Sequence, residues 1–91
     1  MQGKTKSGFS YTCDDRIFSD WRFAMAVSRT QNGTDMERLA GAGEMVQLIL
    51  GKDGYNALLE HISQKNDGMV PAEAVMAEVT EIINSFKDAK N

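Results

Sequence analysis

The chain has 91 residues, one cysteine and a net charge of −3, with a pI near 5.0. That is enough for one small domain, whose short chain buries a modest share of its surface and keeps a thin stability margin. One cysteine excludes an intrachain disulfide and fits a reducing compartment; the mild acidity and scattered basic residues argue against nucleic acid as a partner; no apolar run approaches the ~20 residues of a membrane span, and no signal peptide is evident.

Met1 to Ser7 reads as a polar, loose N-terminus (residues 1–7). From Gly8 to Cys13, Phe9, Tyr11 and Cys13 alternate with Ser10 and Thr12. That is strand periodicity in strand-favouring residues. No second strand is evident, so the segment is either an extended arm packed on helices or a strand that pairs with another chain. Asp14 and Asp15 open a helix that carries Ile17, Phe18, Trp21 and Met25 on its apolar side and runs to about Thr30. Trp21 reads as core, whereas Phe23 falls off that face and reads as an exposed anchor. Gly33 ends the helix in a left-handed cap.

Thr34 to Glu37, T-D-M-E, is a capping box. The helix after it carries Met36, Leu39, Ala40, Gly43, Val46 and Leu50. Gly41 and Gly43 inside it cost roughly 1 kcal/mol each relative to alanine. They imply a break near Ala40–Gly43 or a close helix crossing there. Gly51 stops the helix. Another starts near Asp53, turns Tyr55, Leu58, Leu59 and Ile62 inward, and ends near Lys65.

The last helix is the most sharply signalled. Asn66-Asp67-Gly68 is a turn, and Pro71 fits a first helical position. Val75, Val79, Ile82, Ile83 and Phe86 then share one face. Acidic residues early and lysines late match the helix dipole. The fold expected is mainly α: about four short helices preceded by one strand-like segment, with the domain over residues 8–86 and a polar tail over 87–91.

Reactive chemistry is sparse. His61 stands between Glu60 and Ile62 with no partner ligand in the sequence and reads as an ordinary surface histidine. Cys13 reads as a small packed residue. Gly41-Ala42-Gly43 lacks the frame of a dinucleotide fingerprint, and Gly51-Lys52 is followed by Asp53 rather than Ser or Thr. A calcium loop aligned on Gly68 would need carboxylates where Ser63, Lys65 and Ala74 stand. No catalytic, cofactor or metal site is expected.

The order of features resembles the small tail assembly chaperones of long-tailed bacteriophages and prophages of Gram-positive bacteria. The resembling pieces are SGFSYTCDDRIFSDWRF, a middle helix ending LILGKDGYNALLEHI, and DGMVPAEAVMAEVTEII before a charged tail. The resemblance implies a protein of the bacterial host cytoplasm that is not an enzyme and not part of the finished virion. It would bind the hydrophobic tape measure protein, keep it soluble and help tail tube protein assemble around it. It also implies self-association as a homo-oligomer and, in many members, a longer product made by ribosomal frameshifting, for which Lys90-Asn91 is a dipeptide that slippery codons can encode. A groove between amphipathic helices is suited to apolar helical segments. The partner-binding surface expected is Trp21, Phe23 and Met25, or the face of Val75, Val79, Ile82 and Phe86. The competing reading is a small helical phage-encoded adaptor or regulator with no part in tail assembly.

Overall fold

A computed structural model describes residues 1–90, with side chains through residue 88. The order is strand β1 (Gln2–Lys4), strand β2 (Ser10–Thr12), a 3-10 turn (Asp15–Ser19), and helices α1 (Trp21–Gln31), α2 (Asp35–Lys65) and α3 (Ala72–Lys90). The protein is therefore mainly helical, with a small N-terminal antiparallel sheet.

The sheet corrects the expectation of a lone strand. β1 and β2 pair with Gln2 opposite Thr12, Gly3 opposite Tyr11 and Lys4 opposite Ser10. The stretch read as a loose N-terminus thus supplies the missing partner. Beyond the ladder, the Cys13 amide donates to the Met1 carbonyl at 2.8 Å. The Met1 amine donates to the Cys13 carbonyl at 2.7 Å and lies 2.9 Å from Asp15. On the inner face Phe9, Tyr11 and Cys13 are buried.

The helix expected to run from Asp14 to Thr30 is two elements. Asp14 caps the 3-10 turn, accepting from the Arg16 amide at 3.0 Å. At Asp20 the backbone leaves helical geometry, and its side chain accepts from the Arg22 amide at 2.8 Å, starting α1 afresh. In each case the arginine two residues on also forks back onto the capping carboxylate. This break moves Trp21 out of phase with Ile17 and Phe18.

Thr34 caps α2 with both bonds of the capping box, each 3.2 Å long. Gly51 interrupts α2 at φ 73° and ψ 173°, a conformation that strains any residue with a Cβ. The two halves of α2 therefore correspond to the two middle helices expected from the sequence. Near Gly41, α1 and α2 cross closely: a Cβ built there would lie 2.6 Å from the Arg29 Cβ and 2.9 Å from the Ala26 carbonyl oxygen. Gly43 has open space around it, so only one of the two glycines makes the crossing.

The Pro71 carbonyl accepts from the Val75 amide at 3.3 Å, so the proline stands immediately before α3. α3 continues to Lys90, so residues 87–90 of the expected tail are helical. Asn91 and the side chain of Lys90 lie outside the described residues. The core joins Phe9, Tyr11 and Ala26 to Val46, Ile49, Leu58, Ile62, Val79 and Ile82. Within the first half of α2 it takes Ala42, Met45, Val46, Ile49 and Leu50, while Met36 and Leu39 lie outside it.

The two aspartate caps set an acid limit. Fork bonds from Arg16 and Arg22 lower the carboxyls of Asp14 and Asp20 from 3.8 to about 2. A carboxyl depressed on folding contributes stability above its unfolded pKa and loses it as pH falls through the folded one. The urea midpoint is expected to fall between pH 4 and pH 2, and Asp20→Asn should flatten that slope. The Met1 amine behaves oppositely. Its hydrogen bond to Asp15 raises its pKa above 8.0, so its contribution is present below pH 8 and is lost above it.

Candidate functional site

The residues proposed from sequence as a partner surface are divided by the structure. Trp21 is 76% exposed and Met25 39%, one turn apart on the outer side of α1. Phe23, expected to be outside, is half-buried with its ring edge-on to Phe18 at 5.3 Å. Trp21 and Phe23 have thus exchanged their expected places, because the restart of the helix at Asp20 resets its phase.

The face on α3 is largely used internally. Val79 and Ile82 are each 1% exposed and lie in the core, so neither is a contact surface in this fold. Phe86 is stacked on Phe18 at 4.0 Å with the rings 17° from parallel. Phe18 therefore ties the 3-10 turn to both α1 and the C-terminal part of α3. Of the proposed α3 residues, Val75 lines an open groove.

That groove has a volume of about 310 Å³ and runs between α2 and the start of α3. Leu39, Tyr55, Leu59, Val70, Val75 and Met76 line it. At its edge Leu39 is 55% and Val70 39% exposed. Met36, one turn before Leu39, and Met69, beside Val70, are exposed as well. Met36 and Leu39, which the sequence sets in one series with Val46 and Leu50, are thus exposed while those two are buried. Ala42, Met45, Val46, Ile49 and Leu50 repeat at three- and four-residue intervals, and that stripe was the available sign that the inward face lies elsewhere.

A second, larger groove lies beside the Gly51 break, bounded by Arg22, Glu44, Leu48, Lys52 and Tyr55. Its arginine and glutamate are engaged elsewhere, Arg22 with Asp20 at 2.9 Å and Glu44 with Arg29. Among the described residues, no three histidine, cysteine or acidic side chains are grouped so as to hold a metal ion. Cys13 is buried, and that burial pushes its thiol above the usual pKa. No helix among the described residues is long and apolar enough to cross a membrane.

His61 is not an ordinary surface residue. It is half-buried, its ring lies 5.6 Å from that of Phe9, and its Nε2 is 3.0 Å from the Ser7 hydroxyl. Ser7 also donates to Glu78, which is 7% exposed. In this trio the serine sits between the histidine and the carboxylate. Nucleophilic catalysis needs the histidine between the other two, so the arrangement is a structural link.

Comparison of the chain with protein-family models, with curated proteins and with solved structures finds no match.

Proposed function

We propose that this protein is a tail assembly chaperone of the kind its sequence resembles, a non-enzymatic holder of a tape measure protein. The observation that carries this reading is its exposed apolar surface. Trp21, Met36 and Met69 are each more than two-thirds exposed, and Leu39 and Val70 rim the groove between α2 and α3. Large exposed apolar patches on a small domain mark contact surfaces. Methionine suits a surface that adapts to varied partners. A groove between helices accepts an amphipathic helix through anchors spaced three and four residues apart.

On this reading the groove edge of Met36, Leu39, Val70 and Val75 replaces the Val79–Ile82 face as the principal contact, and Trp21 with Met25 supplies a second one. Tail tube protein would meet the complex once the tape measure is held. The chaperone would act in the bacterial cytoplasm, would self-associate, and would be left out of the virion. A frameshifted longer product would require slippery codons at Lys90-Asn91 and an overlapping downstream frame in the gene.

Co-expression with the tape measure protein encoded nearby tests the proposal. The partner is expected to be soluble with the wild-type chain and to precipitate with a Met36→Glu/Leu39→Glu double variant that itself remains folded. Equal insolubility of the partner with and without the wild-type chain would refute it and favour a small adaptor unrelated to tails.

A further inference from the structure

The tight turn between β1 and β2 is fastened to two helices through adjacent residues. The Lys6 amide donates to Glu81 on α3 at 2.8 Å. Beside it, the Ser7 hydroxyl donates to Oε1 of Glu78 on α3 and lies 3.0 Å from Nε2 of His61 on α2. A serine hydroxyl has one proton, and here it is committed to the carboxylate. His61 Nε2 is therefore the donor to Ser7. The Thr5 hydroxyl, 3.2 Å from that same oxygen, accepts from the Phe9 amide at 3.2 Å and helps to hold the turn.

This fastening is incomplete. Glu78 is 7% exposed, yet among the described residues no donor reaches its second oxygen, Oε2. A buried carboxylate oxygen without a donor has lost its hydration with nothing in return. Lifting the turn would let water reach it. The segment above is also of a kind that has little stability of its own, because a hairpin of two three-residue strands is marginal without support. Its support comes from Phe9, Tyr11 and Cys13 in the core, the Ser7 turn at one end and the Met1–Asp15 ion pair at the other. The packing of Leu58 and Ile62 against Val79 and Ile82 belongs to α2 and α3.

We infer that residues 1–13 form a latch that lifts from α2 and α3 as a unit ahead of global unfolding, with Ser7 as its catch and Glu78 as the group that keeps the catch weak. Opening uncovers Phe9, Tyr11 and the helix surfaces beneath them, adding apolar area to that already exposed. The inference does not depend on which partner the protein binds.

Native-state hydrogen exchange of the whole chain, followed by mass spectrometry, tests it. Amides of the hairpin, such as those of Thr5, Gly8 and Cys13, are expected to exchange together and at least tenfold faster than those of residues 55–62. Ser7→Ala removes the catch and should speed hairpin exchange about tenfold, equivalent to about 1.4 kcal/mol, with residues 55–62 little changed. Glu78→Met removes the unpartnered oxygen and frees the Ser7 proton for His61; it should slow hairpin exchange several-fold. Glu78→Gln keeps the shape and an unsatisfied polar group, and should not slow it. Hairpin amides that exchange only at the rate of residues 55–62 would overturn the latch, as would a Ser7→Ala variant without effect. Faster hairpin exchange in a folded Glu78→Met variant would overturn the role of Glu78. Should Glu78→Met not fold, the wild-type rates and Ser7→Ala decide the matter.

Discussion

Replacing Leu58 with alanine is expected to lower the free energy of unfolding by about 3–4 kcal/mol. Leu58 is 0% exposed and sits in the second half of α2, in the core cluster that includes Val46, Ile62, Val79 and Ile82. Truncation loses the transfer free energy of the removed methyl groups. It also leaves a cavity, because neighbours held by three different segments cannot all collapse inward. A domain of this size has only about 5–10 kcal/mol of stability to lose. The melting temperature should fall by about 12 °C or more. Trp21→Ala, at an exposed position, should change stability by no more than about 0.5 kcal/mol. Urea denaturation followed by circular dichroism checks both. A loss below about 1 kcal/mol at Leu58 would contradict the core described above.

Opposite outcomes are expected at the two glycines of Gly41-Ala42-Gly43. Gly41→Val should destabilise by about 2–3 kcal/mol. Its Cβ would meet the Arg29 Cβ at 2.6 Å, the Ala26 carbonyl oxygen at 2.9 Å and the Thr30 amide nitrogen at 3.1 Å. Two of these neighbours are backbone atoms of α1, so the helices must separate, and Ala26, now 0% exposed, would lose its packing. Gly43→Ala meets nothing within 4 Å and gains helix propensity. It should stabilise by about 0.5–1 kcal/mol. Thermal melts of the two variants measure the contrast. Equal effects would mean that the α1–α2 crossing does not pass over Gly41.

The contrast between those glycines shows where sequence reasoning stops. Both carry the same propensity cost, which leads to a break or a close crossing without separating the two. The Asp20 break was hidden for a related reason. Apolar residues continue through it at helical intervals, so the periodicity carries no sign of the break. Only the observed bond from the Arg22 amide identifies Asp20 as a cap. β1 was missed because Gln2-Gly3-Lys4 has neither strand propensity nor alternation, and it becomes a strand by pairing with Ser10–Thr12.

The candidate surface followed the same pattern. That α3 has an apolar face was legible, because Val75, Val79, Ile82 and Phe86 repeat at its period. How much of that face remains open was not. Val79 and Ile82 are closed over, Phe86 lies on Phe18, and Val75 opens into the groove. His61 and Glu78 gave no signal of their contact with Ser7, since 54 and 71 residues separate them from it.

Local sequence sets the punctuation of this chain: the Thr34–Glu37 box, the stop at Gly51, the turn before Pro71 and the amphipathic character of the helices. Those features depend on interactions within a few residues and on backbone preferences that each residue carries with it. Which apolar side chains are covered, which glycine makes the crossing and where Ser7 fastens the hairpin follow from long-range packing. These depend on the phase and relative placement of distant elements, and a shift of one residue in a helix start turns a side chain by about 100°.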